Sequence, residues 1–318
     1  MKRETVAIFS CKGLGDGLIS IALANNLIIN DYEVSFFHNN FEQLQDVFLD
    51  IVIKKFPQAL EIEQILNYFA KIFISYEEDN FFSMKLIEEG KKKCPQKIYV
   101  LNPCASKKVG GQPYYRDACF SPNVSMVENI DFFCKKILKL KKTTKIINYF
   151  IPKEIQFKKN LKRVIIHPSS AKKGKNWPIN KYLDLAIKLK TIGYDPVFVV
   201  GPNEEEFYKV VLENNFKLVN FKNLKDLTYF IYESALMIGN DSGIGHLASM
   251  LGIRTISIFR NYRSAKLWRP GWSDGRVIYP SRLIFNFSGF RLRDKKWKHF
   301  VSIKKVFKNF ISITTKTS

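Results

Sequence analysis

Short apolar runs alternate with segments of helical period along nearly the whole chain, and glycine, proline and small polar residues separate them. The first run is "TVAIFS", followed by the glycine-rich "CKGLGDG" and the apolar "LISIALANNLI". In the last of these Leu18, Ile21, Ala22, Asn25 and Ile28/Ile29 keep the helical spacing, which predicts strand, loop, helix. "YEVSFFH" predicts a second strand, and "FEQLQDVFLDIVIKKF", "KIFISY" and "KIYVLN" continue the alternation less plainly. Residues 102–125, rich in Pro, Gly, Ser and Lys, predict a loop. Residues 126–148, containing "IDFFCKKILKL", predict a helix leading into the second half.

The second half is more regular. "RVIIHPSS" predicts a strand ending in a turn, and "PINKYLDLAIKLKTIG" a helix with Pro178 at its first turn and Gly193 at its end. "DPVFVVG", "EEEFYKVVLENN", "FKLVNF", "NLKDLTYFIYES", "ALMIG", "DSGIGHLASMLG" and "RTISIF" continue strand and helix in turn. The strands are almost wholly apolar, as in a parallel sheet covered by helices on both faces. The predicted fold class is α/β: two Rossmann-like, doubly wound parallel-sheet lobes with a cleft between them. The expected domains are residues 1–155 and 156–318. The region 291–318 follows, with "FVSIKKVFKNFIS" as an amphipathic helix.

Composition narrows the class. With 46% hydrophobic and 25% charged residues, both halves can bury cores. No apolar run reaches the roughly 18 residues of a membrane span, and "MKRETVAIFSCKG" does not read as a signal peptide, so the expected location is cytoplasmic. Five cysteines without a CxxC pair suit a reducing compartment and argue against a disulfide framework or a zinc site. The net charge of +22 is uneven: residues 1–150 carry 20 Lys+Arg against 17 Asp+Glu, and residues 151–318 carry 31 against 12. That field implies an anionic partner, whether nucleic acid, phosphorylated glycolipid or the cytoplasmic leaflet of a membrane.

The densest chemistry lies in "GNDSGIGHLASMLG", between the apolar runs "SALMI" and "RTISIF". Ligands of open parallel sheets bind beyond the carboxyl ends of the strands, and this stretch begins there. Asp241 or Ser242 can cap the following helix, and Gly243 lets a ligand approach the backbone. The free N–H groups form a phosphate site, and His246 lies one turn on, on the same face as Ser242 and Gly243. A plain capped helix carrying a buried histidine fits the same spacing.

"DSGIGHLASMLGIRTISIF" resembles the donor-site signature of family 9 glycosyltransferases, the ADP-heptose:lipopolysaccharide heptosyltransferases. "IIHPSSAKKGKNWPINKYLDLAIKLKTIGYDPVFVVGPNEEE" is similar to that family's strand, small-residue turn, Lys-x-Trp-Pro, helix, strand and Gly-x-x-x-Glu block. "GLGDGL" is similar to its N-terminal Gly-Asp loop, and more weakly "LWRPGWSDGRVI" to its late donor-domain segment. The resemblance implies a GT-B fold with the acceptor in the N-terminal lobe and the donor in the C-terminal one. It also implies an inverting, metal-independent transfer with no cofactor, from ADP-heptose to an anionic lipopolysaccharide inner-core glycolipid at the inner leaflet. The absence of an Asp-x-Asp clamp agrees that protein groups must neutralise the leaving diphosphate.

Carried onto this sequence, the resemblance makes Asp16 the candidate general base, with Lys12, Gly13 and Gly15 as the acceptor-side loop; Asp16 as a helix cap remains open beside it. Lys175 becomes the cation on the leaving ADP, with Lys172 and Lys173 as competitors. Asp241, Ser242, Gly243 and His246 would hold diphosphate and sugar, His246 as a hydrogen-bond donor. Ser169 and Ser170 are further phosphate contacts. Glu205 aligns with the ribose-binding acid, Glu204 being one residue away, and Trp177 is expected in the core. Other readings fare less well: "GLGDG" lacks the glycine spacing of a dinucleotide-binding oxidoreductase, and no nucleic-acid motif accompanies the positive charge. Within the family, another sugar or a glycan or protein acceptor stays open.

Overall fold

The computed structural model describes residues 3–77, 79–101, 120–284 and 292–315. The chain divides into two compact units, Met1–Phe150 and Ile151–Ser318, a few residues ahead of the 155/156 boundary read from sequence. Each unit is built on one parallel sheet covered by helices, the α/β architecture expected.

Unit 1 contains strands β1 (Thr5–Phe9), β2 (Glu33–Phe37), β3 (Val52–Lys54), β4 (Lys71–Ser75) and β5 (Ile98–Leu101). Its helices are α1 (Leu14–Ile28), α2 (Ile62–Tyr68), α3 (Phe81–Lys93) and α4 (Met126–Phe132). The strand order is β3-β2-β1-β4-β5. Central β1 is fully buried from Val6 to Phe9, because helices cover both faces of the sheet, and so its sequence is continuously apolar. Gly17 of α1 permits the closest packing: a Cβ there would overlap the Phe41 ring.

The helix expected over 126–148 is shorter. After α4 a single π-helical turn covers Phe133–Ile137, and Lys139 then adopts a left-handed conformation with φ of 52°. Beyond it the chain runs extended along α1, held by three asparagines. Asn30 bonds the Lys142 C=O at 2.7 Å and N–H at 3.1 Å. Asn26 does the same for Thr144, both at 2.8 Å. Asn25 donates to Ile146 O and accepts from Asn148 N, both at 3.0 Å. Six long-range bonds, four from α1 and two from Asn30 just beyond its end, outweigh the local helical preference of "KILKLKK", which a periodicity argument cannot see. Asn26 is 1% exposed, so Asn26→Leu strands the Thr144 backbone groups. The expected loss is about 2 kcal/mol of stability, read as a fall of several degrees in Tm.

Unit 2 contains β6 (Asn160–His167), β7 (Asp195–Val200), β8 (Lys217–Asn220), β9 (Ser234–Asn240), β10 (Arg254–Ile258) and β11 (Gly275–Ile278). Its helices are α5 (Ile179–Thr191), α6 (Lys209–Glu213), α7 (Leu224–Tyr232), α8 (Gly243–Met250), α9 (Tyr262–Trp268), α10 (Leu292–Lys295), α11 (Trp297–Phe300) and α12 (Ile303–Thr314). The order is β11-β10-β9-β6-β7-β8. Pro178 sits directly before α5, and Gly193 after it has φ of 84°, the left-handed geometry that ends a helix. "EEEFYKVVLENN" forms a 3-10 turn, Glu205–Tyr208, before α6 rather than one helix. Amphipathic α12 buries Val306, Phe310 and Ile313 against the unit 2 core.

Candidate active site

In unit 2 the connections from β6 and β9 leave toward opposite sides of the sheet, so the crevice between these neighbouring strands is the switch point where open α/β sheets take ligands. Asn240, the last residue of β9 and 1% exposed, ties the two strand ends together. Its Oδ1 accepts from Trp177 N and Tyr182 OH, both at 2.9 Å, and its Nδ2 donates to Pro168 O at 2.6 Å. Trp177 is 1% exposed and belongs to the core, its indole N–H donating to Val301 O. The Trp297 indole N–H reaches Gly174 O at 3.2 Å, so the C-terminal segment pins the lysine loop. Lys175 points across the switch point and pairs with Asp241 at 2.7 Å. Lys172 and Lys173 are exposed; Lys173 lies over the Phe207 ring instead, 4.8 Å from its centroid.

Ser242 occupies the cap position of α8 but makes no side-chain cap bond. Its Oγ and the Nδ1 of His246 are buried without a partner, each an omission worth about 1–3 kcal/mol in a folded interior. The Trp268 backbone bonds the His246 ring, and burial lowers its pKa to about 4. A neutral ring that donates to a backbone carbonyl presents a lone pair at Nδ1, so His246 offers an acceptor here rather than the donor expected from sequence. Trp272 packs edge-on against it at 6.0 Å. Ser249 anchors the Trp272 loop by accepting from Trp272 N and Ser273 N; neither Ser249 nor Asn240 stood out in the sequence. A polar residue at a strand's last position, just before a cap, was the signal for Asn240.

Burial also lowers the His38 pKa to about 4 and depresses that of His167. Unfolded histidines take up protons below about pH 6.5, whereas folded His38 and His246 resist until about pH 4. Their contribution is therefore whole above pH 6.5 and is lost as pH falls toward 4, by roughly 1.4 kcal/mol per pH unit for each histidine. Denaturant titrations across this window check the slope, which should flatten in His38→Asn and in His246→Asn.

The strand ends of β6 and β7 meet through Glu204. Its Oε2 accepts from Ser169 Oγ and from Gly201 N, both at 2.7 Å. Ser169 is 3% exposed, its hydroxyl proton committed to Glu204, while Ser170 donates to Asn176 Oδ1 at 2.6 Å. Beside them lies a cavity of about 460 Å³ whose lining includes Ser170, Lys173, Asn176, Glu204, Phe207 and Tyr208. Glu205 is exposed and is not among the lining residues. The alternative between neighbouring acids thus has a geometric answer for this cavity: Glu204 faces it.

Unit 1 has its own switch point, between β1 and β4. There Cys11 Sγ lies 3.6 Å from Tyr76 O, and Lys12 N donates to Glu77 Oε2 at 3.3 Å. Burial, with Asp16 and Glu77 nearby, pushes the Cys11 thiol far up. Gly13 precedes α1, Gly15 and Asp16 are in its first turn, and the Asp16 carboxylate lies so close to Gly13 that a Cβ there would collide with it. Asp16 is half-buried. That position suits both a helix-start acid and a base at the sheet's edge. Among the described residues, no group of three or more His, Cys, Asp or Glu could hold a metal ion.

Residues 139–281 match Glycosyltransferase family 9 (heptosyltransferase). The lipopolysaccharide heptosyltransferase 1 of Campylobacter coli is 33% identical over 132 residues, which are 37% of this chain and 38% of that protein. A glycosyl transferase family 9 structure from Veillonella parvula superposes with a TM-score of 0.69 at 13% identity, covering 99% of this chain and 98% of that one. The E. coli ADP-heptose LPS heptosyltransferase II gives 0.68 at 13% identity, covering 98% and 99%. These likenesses extend the fold to the full length and match the GT-B expectation. Residues 139–281 of this chain are a glycosyltransferase family 9 domain.

Proposed function

We propose that the protein is an inverting glycosyltransferase moving heptose from ADP-heptose to an anionic lipopolysaccharide inner-core acceptor, without a metal or other cofactor. The observation that carries it is the arrangement at the start of α8. A lysine–aspartate pair spans the sheet's switch point beside two buried, unpartnered polar atoms, Ser242 Oγ and His246 Nδ1. A diphosphate and the hydroxyls of a sugar supply the acceptors and donors that such a place lacks. The names of the relatives support heptose and ADP.

In this reading unit 2 takes the donor and unit 1 the acceptor. An acceptor hydroxyl oxygen attacks the anomeric carbon while the bond to the diphosphate oxygen breaks, and the configuration inverts. Asp16 receives the hydroxyl proton, with Lys12, Gly13 and Gly15 shaping the acceptor side. Lys175 and the N–H groups of Ser242 and Gly243 receive the charge that develops on the departing ADP. Ionised Asp241 can only accept, so it takes sugar hydroxyls and aims Lys175 at the diphosphate; His246 Nδ1 accepts from another hydroxyl. The cavity beside Glu204 takes the nucleoside, Glu204 accepting from the ribose and Ser170 lying near phosphate. Glu204→Gln is expected to weaken donor binding by about tenfold or more and Glu205→Gln by less than about twofold, read by calorimetry.

The acceptor would meet the protein at the cytoplasmic leaflet. Among the described residues no helix is long and apolar enough to cross a membrane, and the positive charge suits an anionic glycolipid. Calorimetric titration with ADP-heptose, UDP-sugars and NAD tests the reading. Binding of ADP-heptose alone, unchanged by EDTA, supports it. A preference for a UDP-sugar would replace the donor, and a preference for NAD would remove the class.

A further inference from the structure

We infer that the lysine-rich strap of unit 1, from Phe132 to Phe150, is a docking surface for an anionic phospholipid bilayer. Lys135, Lys136, Lys139, Lys141, Lys142 and Lys145 are all exposed, and no acid occurs from 132 to 153. Among the described residues one of the six has an ion-pair partner: Lys145, 3.8 Å from Glu128. At either end of the lysine run stand partly exposed apolar side chains, with Phe132 56%, Ile146 74% and Phe150 47% exposed.

These groups lie along one fixed segment and its immediate neighbours. Glu128 joins α4 to the strap through Lys145, and Phe132 lies one turn from Glu128 on the same helical face. Ile146 follows Lys145 directly, and Phe150 N bonds Val47 O at 2.8 Å, beside Leu49, itself 62% exposed. The strap is not a loose tail: Asn25, Asn26 and Asn30 fix its backbone, while Phe133, Cys134 and Ile147 anchor it inward. Phe132, Ile146 and Phe150 thus leave half or more of their surface, or close to it, facing solvent.

Exposed apolar groups next to a run of lysines are what an interfacial lipid site needs: the apolar groups enter the headgroup boundary and the ammonium groups meet phosphates. The same chemistry serves nucleic acid poorly. The cations are all lysine, which lacks the planar fork of arginine. Although residues 151–318 carry most of the net charge, this patch belongs to the nearly neutral half. The inference needs neither donor nor acceptor, so it stands or falls apart from the proposed transfer.

Flotation of the full chain with phosphatidylcholine vesicles, with and without phosphatidylglycerol, tests it. Binding is expected with phosphatidylglycerol and should weaken as salt rises. Replacing Lys135, Lys136 and Lys141 together by Gln should lower partitioning about a hundredfold, at roughly fivefold per lysine, and Ile146→Ser about tenfold, with unchanged Tm. In Ile146→Trp, emission should shift to the blue and be quenched by brominated lipid. Equal flotation with both vesicle types would overturn the inference. So would strap variants that float like the parent while Lys295, Lys304 and Lys308 replaced by Gln do not. Retention on single-stranded RNA without flotation would assign the strap to nucleic acid and overturn it too.

Discussion

Asp16→Asn is expected to fold like the parent and to transfer sugar about 10²–10⁴ times more slowly. Asparagine keeps the size of the side chain and an oxygen that can accept a hydrogen bond near Gly13, so a capping role largely survives the change. What it loses is the capacity to take a proton from an attacking hydroxyl. Rate and stability therefore separate the two roles that the position of Asp16 at the start of α1 allows. A large fall in kcat with an unchanged Tm identifies the base; near-normal turnover rules the base out and leaves the helix-start role, which Asn preserves. Gly13→Ala probes the same geometry from the other side, because the added methyl must displace the carboxylate.

The second large effect is expected at Lys175. Lys175→Ala should slow transfer by about 10²–10³-fold, the usual cost of removing one group aimed at developing charge. Lys172→Ala and Lys173→Ala should cost much less, since the Lys175 ammonium lies against Asp241 at the switch point while Lys173 lies over Phe207. Part of the Lys175→Ala loss has a different origin. It leaves Asp241, whose side chain is 11% exposed, as an unneutralised carboxylate beside an incoming diphosphate. Adding Asp241→Asn to Lys175→Ala should then recover some donor binding, a coupling that a double-mutant cycle reads directly. Additive losses would show that the pair does not act as a unit.

The sheets were legible because their strands are buried on both faces, so β1, β7 and β10 stand out as apolar runs whatever their neighbours do. Gly193 at a helix end was legible from its own residue type, and Trp177 lies in the core as expected. Contacts distant in sequence were not legible. The region 138–148 has a helical composition and is drawn straight by asparagines more than a hundred residues away. In the candidate site, "DSGIGH" marked the start of a helix after a strand through its local pattern. The choice between Glu204 and Glu205 depended on which acid reaches Ser169 and Gly201, a matter of turn geometry. Likewise His246 was visible as a polar group on α8, but its character as an acceptor comes from the Trp268 backbone, supplied by a separate helix. The cysteines Cys104 and Cys119 lie outside the described residues; Cys11, Cys94 and Cys134 are free thiols.

The most direct measurement incubates the protein with ADP-heptose and a heptose-free inner-core glycolipid in EDTA, then follows released ADP alongside the anomeric configuration of the product. One ADP for each new glycosidic bond, with the anomeric centre opposite to the donor's, is the predicted result. Released ADP with free heptose, a retained configuration, or a requirement for added metal would contradict it.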